Sequence, residues 1–346
     1  MAKLGTTCAH NIVACHDLTN GFSAFEKPGF WFLEISFEGK IIAWEFENHF
    51  ENHDCLPQTP WEGPDSDTWR SDLNEDEYCL AVEKTQEYIR QGIVYQANIC
   101  RQLSAPLRTQ SKPSAAGLHQ ALKTKNPAPY EGFIQVNQEG IENTWFVSAS
   151  PELFLKATKV ASGKIKLSTG PIKGTAVNEA GLTKKDEAEN IMITDLSRND
   201  LTQVGDPNTL SVDPLLAVEQ HPGLVHLVSK VHIEIPATLK HKNLWADILT
   251  ATLPPASVSG APKCSALKII QELEKNPRGT YCGAFGWINS KTNEAELAVG
   301  IRSFWLSEQQ ELCFGTGAGI TWESNPQNEW RETELKAAKL ISLASS

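Results

Sequence analysis

No stretch of the 346 residues approaches the roughly 18 consecutive apolar positions of a membrane-spanning helix, so no membrane association is expected. Basic charge is also in short supply, with 31 Lys and Arg against 42 Asp and Glu for a net charge of −11. That balance argues against non-specific nucleic-acid binding and against an anionic membrane surface. An anionic ligand on such a chain would need a local cation or a metal ion. The eight cysteines, at positions 8, 15, 55, 79, 100, 264, 282 and 313, form no Cys-x-x-Cys pair. They are expected to be reduced, mostly buried thiols of a cytoplasmic protein, without a disulfide framework. Met1 to Asp17 lacks an apolar core followed by a cleavage site, so no secretory signal is expected. Neither an internal repeat nor a low-complexity tract is present.

What is there suits a folded globular protein: 40% of residues are apolar and 21% charged. The length fits two average domains or one large unit. A β-rich segment over 1–65 and a second region over 66–346 are expected, with the two able to pack together. Phe30-Trp31-Phe32 and Ile41 to Phe46 flank a Glu38-Gly39 turn and predict a hairpin. Pro57 to Asp67 predicts a linker. Asn74-x-x-Glu77 predicts a capping box for a helix that ends before Gly92, and a strand is expected over 93–99.

Further helices are expected over 115–125, from a Thr183 cap through Leu196, over 244–252, over 262–275 with Pro262 in the first turn, and over 326–343 with Ser324 as cap. Strands are expected over 132–136, 144–148, 225–235, 282–289, 296–306 and 311–316. In the 225–235 alternation His226 faces away from the side carrying Val and Ile. Hairpin runs grouped between helices predict an α+β fold of antiparallel sheets with helices outside.

Five segments carry candidate chemistry. Ser150-Pro151-Glu152 places a carboxylate near a strand end. Lys173 stands in the turn-like run Gly170-Pro171-Ile172-Lys173-Gly174-Thr175, and a lysine that loses its proton in a shielded site is a nucleophile. Glu189 is mid-helix, where it can serve as a hard oxygen ligand, and leads into Asp195-Leu196-Ser197-Arg198-Asn199-Asp200. His226 joins Ser259-Gly260-Ala261-Pro262-Lys263, a helix start whose backbone N–H groups suit an anion. The last combines Gly300-Ile301-Arg302, Gly315-Thr316-Gly317-Ala318-Gly319, and the helix bearing Glu329, Glu332 and Lys336.

Each has a plainer alternative. An exposed i,i+4 ion pair accounts for Glu332 and Lys336, and Glu329 and Glu332 equally suit a helix's first turns. Arg198 and Asp200 equally suit a structural helix C-terminus. His49-x-x-x-His53-Asp54-Cys55 has metal-like spacing, but a solvated turn is preferred there.

As an ordered set from Tyr95 to Lys336, these segments resemble the chorismate-utilising enzymes: the large subunits of anthranilate and aminodeoxychorismate synthases, with isochorismate and salicylate synthases. The resemblance is carried by Ser150-Pro151-Glu152, Ala188-Glu189-Asn190, Asp195-Leu196-x-Arg198-Asn199-Asp200, His226-Leu227-Val228-Ser229, Gly260-Ala261-Pro262-Lys263 and the Glu-x-x-Glu of the last helix. It implies an anthranilate-synthase-like sandwich of two mainly antiparallel β-sheets packed face to face with helices outside. Isochorismate and salicylate synthases carry a water-activating lysine where this chain has Gln96, a poor general base. Lys173 stands where anthranilate synthases usually have alanine and aminodeoxychorismate synthases lysine, so the loop is similar to the latter branch, as is Tyr95-Gln96-Ala97-Asn98.

By that resemblance, Glu189, Glu332 and Glu329 would hold Mg²⁺. Lys173 would be the nucleophile, Glu152 the general acid/base, and His226 an orienting or proton-donating group. Arg302, Lys336, Gly319, Tyr281 and Ser259 would bind substrate. The implied reaction is chorismate plus ammonia to 4-amino-4-deoxychorismate, for p-aminobenzoate and folate. Ammonia would come from a glutamine amidotransferase subunit on a separate chain. Anthranilate synthesis and a non-catalytic chorismate-binding subunit are the alternatives. Large subunits of this family usually have a longer N-terminal portion. No Leu-Glu-Ser element of the tryptophan-regulated kind is found, Ser259 replaces a common threonine, and Trp287 a usual tyrosine.

Overall fold

The computed structural model describes residues 1–345 except 52–58, 109–112, 162, 222–223 and 237–242. Most of the Pro57–Asp67 linker is described, but His53, Asp54 and Cys55 lie outside these residues. His49 stacks on Phe30 with ring centroids 3.9 Å apart.

Among the described residues six helices are formed: α1 (Glu75–Arg90), α2 (Ala115–Lys125), α3 (Lys184–Thr202), α4 (Leu244–Thr252), α5 (Lys263–Leu273) and α6 (Pro326–Ala344). Their starts are written locally. Asn74 and Glu77 make both bonds of the expected capping box, and Thr183 with Asp186 makes another at the start of α3. Each such cap satisfies amide groups that the first helical turn leaves without partners, at about 1 kcal/mol. The cap of α6 is Asn325, not Ser324, and Ser324 instead accepts from the Thr321 amide. Pro262 is the N-cap residue of α5 and stands one position ahead of the expected first turn.

Among the described residues seventeen strands join one sheet in which every pairing is antiparallel, and three more make a small sheet. The expected pair of sheets is thus one continuous hydrogen-bonded ribbon that turns back over itself. From strand Gln96–Pro106 it runs through Glu311–Ile320, Ser303–Leu306, Thr144–Ser150 and Tyr130–Val136. It crosses by Ala2–Leu4, Thr7–Asp17, Ile41–Glu51 and Phe30–Ile35. It returns through Ala284–Asn289, Glu294–Val299, Leu153–Lys159, Ile165–Gly170 and Val231–Ile235. The β-rich first 51 residues are therefore the bend that connects the two layers.

The layers share one interior. Ile99 and Ile320 from one layer lie in the same buried cluster as Leu155, Leu167 and Ile233 from the other. Phe146 meets Phe285 across the layers, edge to face, with centroids 5.0 Å apart. Helices α2 and α6 cover the outer face of the first layer, packing on Phe133, Val147, Phe304 and Phe314.

Two expected strands are each broken in two. The 296–306 run divides at Gly300-Ile301-Arg302, where Arg302 has φ +53°, and the 225–235 run divides between Val228 and Val231. Periodicity continued across both breaks, but the two pieces of each run pair with different partners. Cys8 is disulfide-bonded, against the expectation of reduced thiols throughout, whereas Cys15, Cys79, Cys100, Cys264, Cys282 and Cys313 are free. No helix among the described residues is long and apolar enough to cross a membrane.

Candidate active site

Lys173 belongs to a strand, Ile172–Ala176, and not to the expected turn. This strand pairs with Leu224–Val228, and the register shifts between Ile172 and Thr175, so Lys173 and Gly174 form an irregularity in the ladder. Gly174 adopts φ +86° there, and a β-carbon on it would press on Asp186 at 2.7 Å. Past the irregularity, Thr175 Oγ1 is 2.8 Å from His226 Nδ1. His226 is 1% exposed, so the face opposite Val225 and Leu227 is buried as well.

The Lys173 ammonium points at strand Glu311–Ile320: a β-carbon on Gly319 would stand 3.3 Å from its Nζ and would overlap the Gln96 side-chain amide. Gln96 Nε2 donates to Glu189 Oε2 at 3.3 Å. Gln96 and Gly319 are neighbours because Ala97 pairs with Ile320 and Asn98 with Gly319 in the longest ladder of the sheet.

Helices α3 and α6 bring the carboxylates. Lys185 Nζ lies 3.7 Å from Glu189 Oε1 and 3.6 Å from Glu329 Oε1, and Lys336 Nζ lies 2.6 Å from Glu332 Oε1. Lys336 also donates to the Gly317 carbonyl at 2.9 Å. Burial raises the Glu329 carboxyl above its usual range, helped by the neighbouring Glu332 charge. Burial pushes Glu332 the same way, but Lys336, Lys173 and Lys185 together hold it below its usual value.

A family model described as chorismate binding enzyme matches residues 43–342. The chain belongs to that family. Anthranilate synthase component 1 of Saccharolobus solfataricus is 36% identical over 286 residues, 77% of this chain and 62% of that protein. Aminodeoxychorismate synthase component 1 of Klebsiella aerogenes is 32% identical over 286 residues, 79% of this chain and 59% of that protein. The chain spans about three-fifths of the length of these curated relatives. Among solved structures, anthranilate synthase component I from Streptococcus pneumoniae superposes with a TM-score of 0.77 at 21% identity, over 97% of this chain and 92% of that one. The menaquinone-specific isochorismate synthase of Escherichia coli gives 0.77 at 17% identity, over 99% and 87%. At such identities these two structures share the fold.

Glu152 sits between strands Thr144–Ser150 and Leu153–Lys159 and is 4% exposed. Burial pushes its carboxyl up to about 7, against opposing pulls from Ser257, Lys173 and the Ile172 amide. It lines a cleft with Thr169, Pro171, Asp200, Thr252 and Ser257. Asp200 Oδ2 in turn pairs with Lys263 at 2.7 Å. The Arg302 guanidinium is lowered by burial, and among the described residues it forms no ion pair.

Ser259 is fully buried and its hydroxyl donates to the Ala256 carbonyl at 3.1 Å. Tyr281 is buried, stacks on Trp305 at 6.2 Å, and fills the space over Gly315. Asn190 ties α3 to the small sheet by donating to the Leu227 carbonyl at 2.9 Å. Arg198 pairs with Asp195 at the surface.

Among the described residues no three His, Cys, Asp or Glu side chains converge closely enough to hold a metal ion by themselves. The donor set nevertheless suits one. Glu189 and Glu329 offer hard oxygens on either side of a lysine cation, and Mg²⁺ is commonly held by one or two carboxylates with the rest of its shell from water and substrate. Sequence patterns singled out the carboxylates but missed Lys185, although it stands four residues before Glu189, on the same helix face.

Proposed function

We propose that this chain aminates chorismate at ring carbon 4, giving 4-amino-4-deoxychorismate for p-aminobenzoate and folate synthesis. Ammonia would be released from glutamine by an amidotransferase on a separate chain. The observation that carries this reading is the place of Lys173. Its ammonium faces Gln96 and Gly319 and lies within charge contact of both Glu152 and Glu332.

Glu189 and Glu332, with Glu329, would hold Mg²⁺ against the ring carboxylate, where the ion draws electron density from the diene. Lys173 Nζ attacks carbon 2 as its free amine, both ring double bonds shift along the diene, and the 4-hydroxyl departs as water with a proton from Glu152. Ammonia then adds at carbon 4, both double bonds shift back, and Nζ leaves from carbon 2. Two displacements relayed through the diene place the nitrogen on carbon 4, which a single one of that kind would not. A buried carboxyl with its pKa near neutrality suits a group that gives and takes a proton at pH 7. His226, held by Thr175, orients the leaving group. Arg302, a half-buried guanidinium without an ion-pair partner among the described residues, suits a substrate carboxylate through a two-pronged contact, and Lys336 with the Gly319 backbone supports the other. Gln96 spends its amide on Glu189 and has no basic atom to activate water.

Anthranilate synthesis is the second reading, favoured by the 36% identity to an anthranilate synthase component. One experiment separates the two. The full chain is incubated with chorismate, Mg²⁺ and ammonium at alkaline pH, and products are followed by mass. Aminodeoxychorismate as main product supports the proposal, and fluorescent anthranilate overturns it. Without ammonium, wild-type protein should gain a chorismate-derived mass that Lys173→Ala lacks. An adduct of undiminished yield in the variant removes Lys173 as nucleophile.

A further inference from the structure

Lys185 lies one turn before Glu189 on α3, yet its ammonium also reaches α6. It stands 3.7 Å from Glu189 Oε1 and 3.6 Å from Glu329 Oε1, and Glu332 feels its charge as well. These are the three carboxylates put forward as divalent-cation ligands. A positive charge of the chain's own therefore occupies the space in which such an ion would be held.

The details favour a cation that can leave. Both separations exceed hydrogen-bond length, so the ammonium is held by charge and not by direct donation. Among the described residues it makes no other ion pair. Its side chain is 37% exposed, whereas those of Glu189 and Glu329 are 15% and 7% exposed. These two carboxylates are withdrawn from water, whereas Glu332 is half exposed, and the lysine reaches the pair from the solvent side on a flexible stem. Lys336 differs: it is fastened at once to Glu332 at 2.6 Å and to the Gly317 carbonyl at 2.9 Å.

We propose that Lys185 is a tethered counter-ion, which fills the divalent-cation position among Glu189, Glu329 and Glu332 and yields it when the ion enters. The proposal rests on the metal-dependent reading above. It gives Lys185 two effects. Without metal, the lysine keeps the carboxylates of α3 and α6 from repelling each other. With metal, it competes, so the ion must be abundant or supported by substrate before the site fills.

The test uses full-length wild type, Lys185→Gln, Lys185→Ala and Lys185→Arg, without substrate. Mn²⁺ serves as the probe, and the free ion is followed by electron paramagnetic resonance. Removing the charge should tighten Mn²⁺ binding about five- to tenfold, the worth of two partly screened ion pairs. Lys185→Arg should stay near wild type. In metal-free buffer the Gln and Ala variants should melt below wild type, and saturating Mn²⁺ should raise their Tm by more than it raises that of wild type. Wild type that binds Mn²⁺ while the uncharged variants bind it equally or more weakly overturns the counter-ion and leaves the metal reading standing. Mn²⁺ binding by none of the four proteins overturns both.

Discussion

Gly319 and Lys173 are held so close that a β-carbon on the glycine would stand 3.3 Å from the lysine ammonium. They come from different sheets, and the Gln96 side chain fills the rest of the gap. The flexible ends of Gln96 and Lys173 can move aside for an added methyl, so the fold should survive it. Their geometry would not. Gly319→Ala is expected to lower kcat/KM for chorismate about ten- to a hundredfold with little change in Tm, since small displacements of a reacting group are costly. Steady-state rates and melting curves on the same preparations check this, and undiminished turnover would remove the requirement for close approach.

Glu152 should leave a mark on stability as a function of pH. Its folded-state pKa is raised by burial to about 7 from an ordinary 4.5. A raised carboxyl contributes stability fully below the unfolded value, and loses it as pH climbs through the folded value. Above about pH 7 the fold bears the cost of the buried charge, on the order of 3 kcal/mol. Glu152→Gln never carries that charge. Its Tm relative to wild type should therefore rise between about pH 5 and pH 8 and level off beyond. A gap that stays constant with pH would place the carboxylate in a far better solvated setting.

Arg278 is the structural counterpart of the site cations. It is 1% exposed and donates to Glu274 at 2.8 Å, to the Val258 carbonyl at 2.8 Å and to the Asn98 carbonyl at 2.6 Å. Glu274 in turn accepts from the Cys100 amide at 2.8 Å. One guanidinium thus joins the strand that carries Gln96, the turn before α5, and the end of that helix. Arg278→Met would leave Glu274 buried without its partner, which is expected to cost about 3–5 kcal/mol by denaturant unfolding. Adding Glu274→Gln should recover part of it. A loss in the single variant of under about 1 kcal/mol would mean that water reaches the pair.

Much of this protein was legible locally. The limits of α2 and α4 follow from residues within them, and the capping boxes at Asn74 and Thr183 from residues three apart. Strand breaks were not legible. Ile301 and Arg302 continue an apolar alternation, and only the left-handed backbone at Arg302 reveals that the chain changes partners there. Lys173 was expected in a turn because glycine and proline surround it; pairing with Leu224–Val228 makes it a strand residue.

The sequence by itself determined the family and the ordered set of acids and bases, because each motif needs only near neighbours in the chain to be recognised. Tertiary structure decided which of them meet. Glu189 and Glu329 share Lys185 across 140 positions of sequence, and Gln96 reaches Glu189 across 93. It also buried Ser259 and Tyr281, and decided that two layers are one sheet bent through the first 51 residues. Local patterns report which face of an element is apolar. The partner of each face is selected by burying the whole chain at once, and no short segment contains that choice.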